Sequence, residues 1–218
     1  MRSIPVVVGP LVAASANNIA LTQTLAGAQA VNLNGSTATG GIATLDKARR
    51  VVITSVGNDS GITFTLTGTD WAGNLVSEVL AGANAGVATS ILDYLTITSI
   101  VSSAATAAAI TVGTNGVAGS PWVRFDEYAF GPSAIQFSVS GTANFTFQHT
   151  QDDPNDTAPQ VPILRSAVVW DTSMSTVVNA AATTTIQLPT SPRYGRVVLN
   201  SGTGSVVMTC TQFAVAPL

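Results

Sequence analysis

The chain has 218 residues, 46% of them hydrophobic and only 9% charged, with eight Lys and Arg against eleven Asp and Glu for a net charge of -3. Eight cations are too few to neutralise a run of phosphates, which argues against a nucleic-acid partner. One cysteine excludes an intrachain disulfide or a thiolate metal cluster, and no apolar run approaches the ~20 residues of a helical membrane span.

An ordinary soluble domain carries roughly 25% charged residues. Here Thr, Ser and Asn supply the polarity instead, and β-branched Thr suits the pleated, half-exposed face of a sheet. Ile4 to Val12 followed by Ala14-Ser15-Ala16 imitates a signal peptide, but Pro5, Gly9 and Pro10 interrupt its apolar stretch. Residues 1–16 are therefore expected to form an extended N-terminal arm. Short strands are expected at 19–25 and 30–33, ended by the Asn34-Gly35 turn signal. Arg50 to Ser55 (RVVITS) and Ile62 to Gly68 (ITFTLTG) flank the turn cluster 56–61 and predict a hairpin, with Ile62, Phe64 and Leu66 on one face and Thr63, Thr65 and Thr67 on the other. The turn 70–74 leads to a strand beginning at Leu75, and further strands are expected at 91–101 and 107–112.

Gly and Pro concentrate between Thr114 and Pro121, which predicts a boundary between a first β domain, 17–118, and a second, 119–218. In the second half Ile135, Phe137 and Val139 alternate with polar residues, Gly141 to Asn144 turns the chain, and Phe145, Phe147 and His149 return on one face, which again predicts a hairpin. Strands at 166–172, 183–188, 196–200 and 205–212 complete the expectation: all-β, two sandwich or jelly-roll-like domains. RVVITS at 50–55 echoes RVVLNS at 196–201; duplication and a shared strand style both account for so short a match.

The residues offer little for catalysis. His149 is the sole histidine, so any His-dependent mechanism must use it. Acidic residues 152–156 (DDPND) lie beside it, yet there is no G-x-S-x-G elbow. Asp152, Asp153, Asn155 and Asp156 gather oxygen ligands, but their spacing is not that of an EF-hand; a plain turn is expected, with bound calcium as the alternative. Asp126 and Glu127 are adjacent and would point to opposite faces of a strand, unlike a glycosidase carboxylate pair. Asp59, Asp70 and Asp93 fall in or near turns. Cys210, in register with Val206 and Met208, reads as an inert core thiol. Trp71, Trp122 and Trp170 are candidates for stacking on sugar rings, with core or interface anchoring as the alternative. No catalytic residue, cofactor or metal site is expected.

The segments RRVVITSVGNDSGITFTLTGTDWAGN (49–74), NAGVATS (84–90), TVGTNGVAGSPWV (111–123), HTQDDPND (149–156) and RYGRVVLNSGTGSVVMT (193–209) resemble stretches of a group of tailed-bacteriophage virion proteins. The resemblance runs from about residue 17 to the end, covers strands and turns, and transfers no functional residue. It implies a non-enzymatic virion component, assembled in the host cytoplasm, whose partners are the phage major capsid protein or other virion proteins. Capsid decoration or cement, with the arm adding a strand to the shell, is the first expectation. A neck, tail or fibre component, including a receptor- or glycan-binding module, is the alternative. A surface so poor in charge also suggests a homo-oligomer, and a trimer suits sites of local three-fold symmetry.

Overall fold

The computed structural model describes residues 2–126, 132–154 and 164–212. The chain is all-β. Its one helical turn among the described residues is a 3-10 turn, Arg165–Ala167. Two compact units are formed: residues 11–116 make one, and residues 1–10 together with 117–218 make the other. After β1 (Arg2–Val8) the chain forms β2 (Ser15–Gln23), β3 (Ala38–Thr39), β4 (Ile42–Ser55), β5 (Thr63–Thr69), β6 (Leu75–Ala81), β7 (Val87–Thr89), β8 (Tyr94–Ser102) and β9 (Ile110–Gly119). It continues with β10 (Val123–Arg124), β11 (Ser133–Ser140), β12 (Ala143–Thr150), β13 (Thr184–Leu188), β14 (Tyr194–Gly202) and β15 (Ser205–Gln212).

In the unit of residues 11–116 the strand order is β9-β4-β8-β5-β6, with β2 on β9 and both β3 and β7 on β4. The expected alternation is present in β5, where Phe64 and Leu66 are buried and the threonines between them are half-exposed. They join Ile19, Ile53, Tyr94, Ile97, Ile100, Ile110 and Val112 in one core. Each aliphatic or Phe side chain so buried contributes about 1.5–3 kcal/mol before entropy is counted. β5 and β6 form a hairpin through the Asp70–Asn74 turn.

The hairpin expected between β4 and β5 does not form, because β8 lies between them and pairs with both. The 56–61 cluster turns the chain without closing a ladder. Nor does the Gly-rich stretch at 114–121 interrupt the strand: β9 continues to Gly119. Gly113 there permits a close approach, since a Cβ on it would lie 1.9 Å from the Ser15 carbonyl oxygen of the neighbouring chain segment. The compact units divide at Gly116/Val117, within this strand.

The other unit is a sandwich. One sheet has the order β1-β15-β11-β13; in the second, β14 pairs with β12, β10 and the last residues of β9. Phe137 from the first sheet packs on Phe145 and Phe147 from the second, at ring-centroid distances of 5.4 and 5.7 Å. The predicted hairpin of β11 with β12 is therefore replaced by an arch: Gly141, at φ +77°, carries the chain from one sheet to the other. β14 and β15 are joined by a second arch, and a Cβ on Gly204 would lie 2.3 Å from the Ser140 carbonyl oxygen, so the two arches meet backbone to backbone.

The segment expected as an arm, 1–16, is split between the units. Residues 2–8 pair antiparallel with β15, from Arg2 opposite Gln212 to Val8 opposite Val206, and Val8 is buried. Because β15 offers a free ladder edge within the same chain, the N-terminal strand adds to it there. The strand expected at 166–172 is instead the 3-10 turn and irregular chain that leads to an isolated bridge between Asp171 and His149.

Candidate functional site

The sequence candidates fall into both units, and only some of them meet. Trp71 lies in the 11–116 unit, in the turn organised by Asp70, whose Oδ1 accepts from the amides of Ala72 and Asn74 at 2.8 and 2.9 Å. Asp59 Oδ1 accepts from the Ala107 amide at 2.7 Å. Asp93 lies 2.8 Å from Arg50 Nε. These carboxylates anchor loops of the unit, which is what acidic residues in turns commonly do.

Within the other unit, Trp122 and Trp170 come together, their ring centroids 5.1 Å apart and 67° from parallel. Tyr194 of β14 packs on Trp122 at 6.3 Å. Each indole also carries a guanidinium: Arg165 Cζ lies 4.9 Å from the Trp122 ring centre, and Arg196 Cζ lies 4.3 Å from that of Trp170. Arg196 is buried, and its Nε donates to Gln148 Oε1 at 2.9 Å. A desolvated cation over an indole face is worth about 2 kcal/mol. The order Arg165, Trp122, Trp170, Arg196 thus pins the 165–170 segment onto β14, and the cations occupy ring faces on which a sugar would stack.

The acidic segment lies alongside. Asp152 Oδ2 accepts from the Val169 amide at 2.7 Å, and Asp153 accepts from the Tyr194 hydroxyl at 3.3 Å and lies 3.6 Å from the Arg193 guanidinium. Asn155 and Asp156 lie outside the described residues, as does Glu127, the partner of Asp126. Among the described residues no three His, Cys, Asp or Glu side chains are grouped as metal ligands would be.

His149 is buried on β12 beside Phe147. Its Nε2 accepts the Met174 amide at 3.0 Å, so the lone pair that a general base would use is already engaged. Burial lowers its pKa from 6.5 despite the attraction of the nearby Asp171 carboxylate. Cys210 is buried on β15, and burial pushes its thiol up to about 11. The arginines of the indole stack and the Met174 contact have no local sequence signature, since their partners are 25 to 48 residues away.

Comparison with protein families, with curated proteins and with solved structures finds no match for this chain.

Proposed function

We propose that this chain is a non-enzymatic structural component of a tailed-phage particle, a capsid decoration or cement protein that stabilises the assembled shell. The observation that carries the proposal is a surface rich in apolar side chains on a chain that is only 9% charged. Leu75, Val79 and Ile91 are 72%, 67% and 75% exposed in one unit, as are Leu164 and Val169, at 68% and 71%, in the other. Singly exposed apolar side chains are ordinary, but so many of them on a chain so poor in charge suit a surface that partner subunits cover. The sequence resemblance to phage virion proteins points the same way. With β1 paired to β15, contact with the shell would use these apolar positions and the edge strands β6 and β13, each of which ends its sheet order among the described residues.

The test is the copy number in purified particles of the phage that encodes the chain, measured against the major capsid protein. On the order of hundreds of copies supports a shell role, while about six or twelve places it on a symmetric neck or tail ring. Absence from the particle overturns the proposal.

A receptor- or glycan-binding module is the second reading, favoured by the pairing of Trp122 with Trp170. Against it, Arg165 and Arg196 each cover one face of these indoles. A glycan array tests it: saturable binding abolished by Trp170→Ala supports this reading, and no binding removes it.

A further inference from the structure

β12 is bonded to β14 along one edge, but along the other it meets an irregular segment, residues 171–180, that belongs to the same unit. His149 and Asp171 exchange both backbone hydrogen bonds at 2.8 Å, the Phe147 amide donates to the Val177 carbonyl at 2.9 Å, and Phe145 and Ala180 exchange a further pair at 2.8 Å. The imidazole of His149 adds a side-chain bond to this attachment by accepting the Met174 amide at Nε2, 3.0 Å away. A ring nitrogen accepts an N–H only while it is unprotonated, so the neutral ring carries its proton on Nδ1. Nδ1 is buried and has no hydrogen-bond partner among the described residues.

Protonation at Nε2 would set one N–H against another at Met174 and turn a buried neutral ring into a buried cation. Both consequences are relieved if the segment moves away and water reaches the ring. We infer that His149 is an acid-operated latch for residues 171–180: unprotonated, it holds the segment along the edge of β12, and protonated, it releases the segment and bares that edge.

The surrounding charges bear this out. Asp171 is the charged group that acts on the ring, and its attraction for an imidazolium is outweighed by burial. The Asp171 carboxylate itself is held below the usual carboxylate range by the Ser173 hydroxyl and by the amides of Ser173 and Thr172. Across β12 the residue opposite His149 is Gly195, which brings no charge. Tyr194 and Arg196 flank it and take the alternate face, where Arg196 engages Gln148 and Trp170. Cys210, the titratable side chain buried on β15, stays neutral because its thiol is pushed up to about 11. The latch is closed above the ordinary imidazole value of 6.5 and opens as pH falls through the lower value of the folded state, because the released ring binds the proton more tightly.

The latch does not depend on the particle assignment, and the isolated chain suffices to test it. Because His149 is the only histidine, its ring resonances in an NMR titration need no assignment by mutation. The expected result is an Nδ1–H tautomer at neutral pH, a midpoint below that of a free imidazole, and loss of Met174 and Ala180 amide protection at the same midpoint. As pH falls from about 6.5 toward that midpoint the released fraction, after correction for intrinsic exchange, should rise about tenfold per pH unit, and it should level off below the midpoint. His149→Gln, whose side-chain oxygen accepts an amide but does not titrate, should keep these amides protected across roughly pH 4.5 to 8. Titration of the ring with Met174 protection unchanged overturns the latch, as does an equal loss of protection in His149→Gln. If that variant fails to fold, the wild-type coincidence of the two midpoints decides alone.

Discussion

Replacing Arg49 should cost the 11–116 unit more than replacing any other charged residue in it. The side chain is 2% exposed, and its guanidinium donates to the Val12 carbonyl at 2.8 Å, the Asp46 carboxylate at 3.0 Å and the Asn115 carbonyl at 2.5 Å. It thereby ties the chain's entry into the unit and its exit from it to β4. Hydrogen bonds to a charged group contribute about 1.5–3 kcal/mol each. Removing the buried charge returns part of that sum, because Met avoids the guanidinium's desolvation. For Arg49→Met the net expectation is a loss of about 3 kcal/mol, near the lower bound for breaking a buried ion pair. Hydrogen exchange resolves the two units where a single melting curve would mix them. Core amides such as those of Ile97, Ile100 and Val112 should exchange on the order of a hundredfold faster, with those of β11 and β15 unchanged. Asp46 supplies a second reading. Burial raises its pKa, but the Val12 amide and Arg49 together outweigh burial and hold it below 3.8. Its contribution is therefore present above the ordinary carboxylate value and is lost as pH falls through the depressed one, and the variant should show a smaller loss on acidification. A change of less than about threefold in core exchange would refute this account of Arg49.

Three further outcomes follow from the geometry. Deleting residues 1–9 strips the ladder from β15 and removes buried Val8, so the sandwich unit should melt lower and associate through its bared edge; an unchanged, monomeric melt would show that β1 is dispensable. Gly113→Ala, whose Cβ meets the Ser15 oxygen at 1.9 Å, should destabilise by several kcal/mol, whereas Gly27→Ala, with nothing within 4 Å, should change denaturant stability by less than about 1 kcal/mol. Cys210, buried with its thiol pushed up to about 11, should resist a thiol reagent at about pH 8 in the native protein and react fully in denaturant; rapid native labelling would contradict its place in the core.

The amino-acid sequence by itself determined the all-β class and most strand positions, because side-chain alternation is local: β5, β6, β11, β12 and β15 lie where their period of two put them. The loop role of Asp70 was also legible, since it follows from turn chemistry within a few residues. Partner choice was decided by the tertiary structure. β4 and β5 read as a hairpin, and so do β11 and β12, yet β8 separates the first pair and the second pair enters different sheets. A turn sequence specifies that the chain reverses; whether the next strand bonds to its predecessor or arches over the core depends on which distant strand buries the same face. The same holds for the candidate residues. Trp122 and Trp170 meet because β10 and the 165–170 segment converge on β14, and the arginines over their faces come from positions that no spacing rule connects to them. The N-terminal strand reads as an arm because Pro5, Gly9 and Pro10 break its pattern; only the open edge of β15, about 200 residues further along, makes it part of a sheet.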